Sequence, residues 1–151
     1  MTDTGKILLV EDSEQDVELT LSALKQHNLA NEVVVARDGE QALDYLYRRR
    51  TFQDREAGNP VVILLDIKLP KVDGLEVLQQ LRSDPALKFV PVVMLTSSRE
   101  ERDIVRSYDL GVNAYVVKPV EFQGFIEAIR ELGLFWAVLN QPPPAPGAAS
   151  S

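Results

Sequence analysis

The chain has 151 residues, 45% of them hydrophobic and 26% charged, as in a soluble globular protein built around one core. Its formal net charge of -7 argues against duplex DNA or an anionic membrane surface as the main partner. It has no cysteine for a disulfide or a thiol nucleophile, and no apolar stretch approaches the roughly 18 residues of a membrane span.

The opening residues "MTDTGK" lack the apolar region of a signal peptide, so a cytoplasmic location is expected. "KILLV" (Lys6–Val10) reads as a strand that ends on Glu11-Asp12. "EQDVELTLSALKQH" then places Val17, Leu21 and Leu24 at helical spacing, with His27, the only histidine, read as a surface residue. "NEVVVA" (Asn31–Ala36) is a more exposed strand, and Asp38-Gly39 reads as the start of the helix carrying Ala42, Leu43 and Leu46. "YRRRTFQDREAGNP" (Tyr47–Pro60) reads as a charged, solvated connector.

"VVILLD" (Val61–Asp66) is an unbroken apolar run, suited to a strand covered on both faces, yet it ends on a carboxylate. A buried aspartate without a partner is costly, so Asp66 is paired, exposed at a strand end, or bound to a metal. "DGLEVLQQLRSD" follows as a helix with Leu75, Leu78 and Leu81 on one face; Asp73 caps its start and Pro85 stops it. "VPVVMLT" (Val90–Thr96) is the fourth strand. The next helix has polar first turns, an Ile104, Val105 and Tyr108 face, and Gly111 as its expected cap. "NAYVVKP" (Asn113–Pro119) is the fifth strand. The last and longest helix, "EFQGFIEAIRELGLFWAVLN", has a core stripe of Phe122, Phe125, Ile126 and Ile129. Leu132, Phe135, Trp136 and Leu139 continue that spacing before the proline-rich tail "NQPPPAPGAASS".

Alternation of continuous apolar strands with helices implies an α/β fold with helices on both faces of a parallel sheet. Five such repeats suit the flavodoxin-like doubly wound (βα)5 arrangement, strand order 2-1-3-4-5. Ligands in such folds gather at the carboxyl ends of the strands. There the sequence supplies Glu11, Asp12, Asp66, Thr96 and Lys118. Three clustered carboxylates repel one another without a cation, and their oxygen donors suit a hard ion such as Mg2+. Lys118 adds a point charge suited to a phosphate.

"VEDS", "LLDIKLPKVDG", "LTSS" and "NAYVVKP", in that order from about Lys6 to Gly133, resemble the receiver domain of bacterial two-component response regulators. The resemblance implies that Asp66 accepts a phosphoryl group from a sensor histidine kinase, with Mg2+ held by Asp12, Asp66, the Lys68 backbone carbonyl and, mainly through water, Glu11. It further implies that Thr96 is the switch hydroxyl, Tyr115 the aromatic switch, Lys118 the ion-paired lysine, and Lys118–Pro119 a cis bond. The protein would then be a signalling acceptor rather than an enzyme.

The length of the Tyr47–Pro60 segment, with "SYDLGVNAYVVKPV", resembles the regulators that pair with bacterial phytochromes. Residues 1–133 are expected to form the receiver and 134–151 an extended helix end plus tail, with no DNA-binding output domain. The apolar groups past 131 either pack back on the same domain or join the fourth helix, fifth strand and last helix in a homodimer. Two competing functions share a strand-end acid or the fold. A haloacid-dehalogenase-type phosphatase wants a second acid where Lys68 stands, and a flavin binder wants a glycine-rich loop where "EDSEQD" stands. The third alternative, a degenerate receiver that only binds partners, is opposed by the complete acid, hydroxyl and lysine set.

Overall fold

A computed structural model describes residues 6–25, 32–112 and 114–134. Five parallel strands are ordered β2-β1-β3-β4-β5, as the alternation of strands and helices requires. They are β1 (Lys6–Val10), β2 (Glu32–Ala36), β3 (Val62–Asp66), β4 (Val92–Thr96) and β5 (Ala114–Val117). The helices are α1 (Glu14–Lys25), α2 (Gly39–Tyr47), α3 (Gly74–Ser83), α4 (Arg99–Ser107) and α5 (Phe122–Glu131).

Successive residues of a strand face opposite sides, so a strand in mid-sheet must be apolar at every position. All of β3 and β4 is buried, whereas β2 at the sheet edge is half-buried along most of its length. Leu8, Val10, Ile63, Leu65 and Met94 pack with α2 and α3 on one face. Ile7, Leu9, Leu64, Val93 and Leu95 pack with α1 and α5 on the other. Val10 pairs with Leu65 and Asp66 with Leu95, so β1, β3 and β4 end side by side. That common edge brings residues distant in sequence together.

Local chemistry sets the helix starts. Asp38 accepts from the Gln41 N–H at the head of α2. Asp73 and Glu76 form a complete reciprocal capping box at α3. Only glycine fits at position 74, where the chain packs tightly: a Cβ on Gly74 would overlap the Asp66 carbonyl and lie 2.8 Å from Ile67 Cα and O.

Residues 47–60 are a mostly exposed connector, as expected, yet an ordered one: a 3-10 turn (Arg50–Phe52) stacks Phe52 edge-on against Tyr45, with ring centroids 5.2 Å apart. Arg55 lies over the Tyr45 ring and donates to the carbonyls of Tyr45 at 2.7 Å and Gly58 at 3.0 Å. It thus adds a second donor to a C-terminal carbonyl of α2, which already accepts the Arg48 N–H at 3.2 Å. Among the described side chains of α4 only Val105 is buried, and the expected face is corrected: Ile104 and Tyr108 are about half exposed. The left-handed turn after α4 begins at Asp109 (φ 50) rather than waiting for Gly111 (φ 73).

The last helix is also shorter than its apolar spacing suggests. Gly133 takes φ 72, and its N–H donates to Arg130 O while Leu134 N–H donates to Ile129 O. This Schellman closure ends α5 at Glu131, because the glycine's left-handed turn outweighs a continuing apolar stripe. Leu132 and Leu134 pack back onto the α1/α5 core. Phe135, Trp136, Leu139, the proline-rich tail and His27 lie outside the described residues.

Candidate functional site

The ends of β1, β3, β4 and β5 deliver Glu11, Asp66, Thr96 and Lys118 to one edge. Asp66 is buried, and its Oδ2 accepts from Lys118 Nζ at 3.1 Å. The same ammonium reaches Glu11 Oε1 at 3.4 Å and Asp16 Oδ2 at 3.4 Å. Lys118 is placed by continuation of the ladder beyond β5, where its N–H donates to Thr96 O at 2.8 Å. The Lys118–Pro119 bond is cis, as the resemblance implies.

Glu11, Asp12 and Asp66 can each direct an oxygen to within 4.8 Å of the others. Burial, then the neighbouring Asp66 charge, pushes the Glu11 carboxyl up to about 7. Burial likewise raises Asp66, against the pull of Lys118. Burial opposes the Lys118 charge too, but the Asp66, Glu11 and Asp16 carboxylates outweigh it and hold the ammonium above the ordinary lysine value. The single ammonium of Lys118, set among Glu11, Asp12, Asp16 and Asp66, leaves the edge short of positive charge. An all-oxygen, electron-rich donor set of this kind fits a hard divalent cation.

Thr96 is fully buried and its Oγ1 has no hydrogen-bond partner, an uncommon condition for a hydroxyl. Tyr115 lies beside the α4–β5 connection. Its hydroxyl donates to Val112 O at 3.3 Å, and the Arg106 guanidinium lies 5.2 Å from its ring centroid. The Lys68 ammonium meets Glu101 Oε2 at 3.7 Å, and the ammonium paired with Asp66 is that of Lys118. Glu101 in turn accepts from the Ser97 N–H at 2.8 Å. Despite burial, those donors and Lys68 hold the Glu101 carboxyl below its ordinary value. Of the sequence-derived set, Glu11, Asp12, Asp66 and Lys118 are brought together with Thr96 at the end of the neighbouring strand, whereas Tyr115 is bonded at the α4–β5 connection. The structure adds Asp16, which reads in sequence as an ordinary first-turn helix acid.

The response regulator receiver domain model matches residues 7–130. The chain belongs to the response regulator receiver family. Response regulator Rcp1 of a Synechocystis species is 38% identical over 130 residues, covering 86% of this chain and 87% of Rcp1. The bacteriophytochrome response regulator RtBRR is 68% identical with a TM-score of 0.85, over 93% of this chain and 84% of RtBRR. The bacteriophytochrome response regulator AtBRR is 62% identical with a TM-score of 0.88, over 93% of this chain and all of AtBRR (100%). Rcp1 has also been solved with Mn2+ bound; that structure is 37% identical with a TM-score of 0.70, over 92% of this receiver and 97% of Rcp1. No helix of the described residues is long and apolar enough to cross a membrane.

Proposed function

We propose that this receiver accepts a phosphoryl group on Asp66 from the phosphohistidine of a sensor kinase, and that the kinase is a bacterial phytochrome. The observation that carries the reading is the buried Asp66 carboxylate, 3.1 Å from Lys118 and sharing a three-carboxylate cluster with Glu11 and Asp12. In the transfer, a bond forms between an Asp66 carboxylate oxygen and phosphorus as the donor's P–N bond breaks. The histidine leaves with the bonding pair. Asp12, Asp66, the Lys68 carbonyl and, mainly through water, Glu11 would hold Mg2+, which would supply neutralising charge. The Lys118 ammonium offsets charge on the phosphoryl oxygens, and positioning with charge neutralisation is most of what such a transfer needs.

The protein acts as a signalling acceptor. The unsatisfied Thr96 hydroxyl supports a switch in which Oγ1 turns to the phosphoryl oxygen and Tyr115 follows. The phytochrome pairing rests on the likeness to RtBRR, AtBRR and Rcp1. Exposed Ile104, Tyr108 and Val117 support a homodimer through α4, β5, α5 and the C-terminal extension. A strictly monomeric mass by light scattering at high concentration would remove that part. Lys68 speaks against the phosphatase alternative, because its ammonium is engaged by Glu101 and no acid stands in its place. The reading is tested by labelling with acetyl phosphate, with and without Mg2+, in wild type and Asp66→Asn. Labelling is expected only in wild type with Mg2+, and equal labelling of the two proteins overturns the assignment.

A further inference from the structure

Asp16 shows how a helix-start residue is recruited to the site. Ser13 begins α1 in the usual way, its Oγ accepting the Asp16 N–H at 3.2 Å. In a completed capping box the acid three residues on returns to the cap's own N–H, as Glu76 does to Asp73. At α1 that return is missing, because the Ser13 N–H is already given to Glu11 Oε2 at 3.2 Å. The Asp16 carboxylate is thereby released from its helix and reaches Lys118 Nζ at 3.4 Å.

The other helix starts make the contrast clear. Gln41 of α2 and Glu101 of α4 each accept from the backbone N–H just before the cap, Arg37 at 2.9 Å and Ser97 at 2.8 Å. Those are local bonds that secure a helix start. Glu101 also meets Lys68, but it keeps its local bond. Among the side-chain-capped starts of α1, α2, α3 and α4, only at α1 does the side chain three residues past the cap take no backbone N–H at the helix start and turn to another element instead. Asp16 also lies outside the cluster of Glu11, Asp12 and Asp66. Its grip on the ammonium is therefore independent of the oxygens that a cation would engage.

From this geometry we infer that Asp16 is a positioning residue for phosphoryl transfer, acting through Lys118. An ammonium has three N–H donors, and here they meet three carboxylates: Asp66, Glu11 and Asp16. A cation and a phosphoryl group would change what Asp66 and Glu11 offer to Lys118. Asp16, mounted on the first turn of α1 with its side chain 31% exposed, is the acceptor left unchanged. It keeps the flexible lysine side chain aimed at Asp66 while the other two contacts rearrange.

The inference rests on Asp66 being the acceptor, and the test separates the two. Asp16→Asn, Asp16→Ala and Asp16→Glu are labelled with a concentration series of acetyl phosphate in saturating Mg2+. The maximal rate constant is expected to fall about tenfold in Asp16→Asn and further in Asp16→Ala, with the half-saturating concentration little changed. Asp16→Glu restores the charge and should recover most of the rate. An acid that merely favours the helix start would lower the melting temperature in Asp16→Asn yet leave the rate constant of the labelled protein unchanged. A rate constant in Asp16→Asn equal to or above wild type overturns the inference, as does failure of Asp16→Glu to exceed Asp16→Ala. Absence of labelling in wild type overturns the underlying reading instead.

Discussion

Gly74 gives a sharp test of how the backbone holds Asp66. It opens α3, is buried, and donates its N–H to Ile67 O at 2.7 Å, so the chain doubles back tightly after β3. A Cβ at this position would overlap the Asp66 carbonyl oxygen and sit 2.8 Å from both Ile67 Cα and Ile67 O. All three neighbours are backbone atoms, which cannot rotate aside as a side-chain tip can. Gly74→Ala must therefore shift the end of β3 or the start of α3. Overpacking of this kind costs about 3 kcal/mol at the upper end of its usual range, which at this chain length lowers Tm by about 6–12 °C. A shift approaching 1 Å at Asp66 costs phosphoryl transfer as much as about 100-fold. Gly124 is the matched control. A Cβ there meets only Val116 Cγ1 at 3.9 Å inside α5, so Gly124→Ala should raise stability by about 0.5–1 kcal/mol through helix preference alone. Thermal melts followed by circular dichroism, with acetyl phosphate labelling well below each Tm, measure both effects. If Gly74→Ala melts within about 2 °C of wild type and labels at a similar rate, the close approach does not position Asp66.

Three further outcomes follow from the geometry. Arg55→Ala removes the donor to the Tyr45, Glu56 and Gly58 carbonyls together with a ring contact at 4.1 Å; urea denaturation should show a loss of about 2–3 kcal/mol, with Arg55→Lys recovering little of it. Asp73→Ala breaks the α3 capping box at an exposed position and should cost about 1 kcal/mol in the same assay, while Asp73→Ser should cost much less. Burial, then donation to Asp84 at 2.8 Å, raises Tyr47 above its ordinary value of 10.0; its contribution is therefore complete below pH 10 and lost as pH rises through the folded-state value, so the stability gap between wild type and Tyr47→Phe should narrow in alkaline urea titrations.

Much of the fold is legible because a parallel sheet covered on both faces writes its central strands as unbroken apolar runs. "VVILLD" could hardly be anything else, and the register that sets Asp66 beside Leu95 follows from the pairing of such runs. The misreadings arise where two signals compete locally. After Ile129 the apolar period continues through Leu132, but Gly133 at φ 72 closes α5 with two backbone hydrogen bonds. In residues 47–60 the abundance of charge correctly indicates solvation but hides local order. The Arg55 guanidinium is committed to backbone carbonyls, which carry no side-chain signature for sequence reasoning to read.

The site divides along the same line. Glu11, Asp66, Thr96 and Lys118 announce themselves because each ends a strand, and strand ends share an edge in this fold. Asp16 lies on a helix, where an acid in the first turn is already explained by the helix dipole and by capping. Its second role emerges only when donors and acceptors are matched in three dimensions. Glu11 takes the Ser13 N–H, and the acid thus displaced from its cap turns to Lys118. Glu11 consequently has two structural effects, one direct through Lys118 and one through Asp16. Shortening it in Glu11→Asp should weaken the hold on the Ser13 N–H, give Asp16 a local partner again, and slacken Lys118 even though the carboxylate count is unchanged. A double-mutant cycle over Glu11→Asp and Asp16→Asn, read as the labelling rate constant with acetyl phosphate, should therefore be strongly non-additive, whereas additive effects would mean that the two acids act on Lys118 separately.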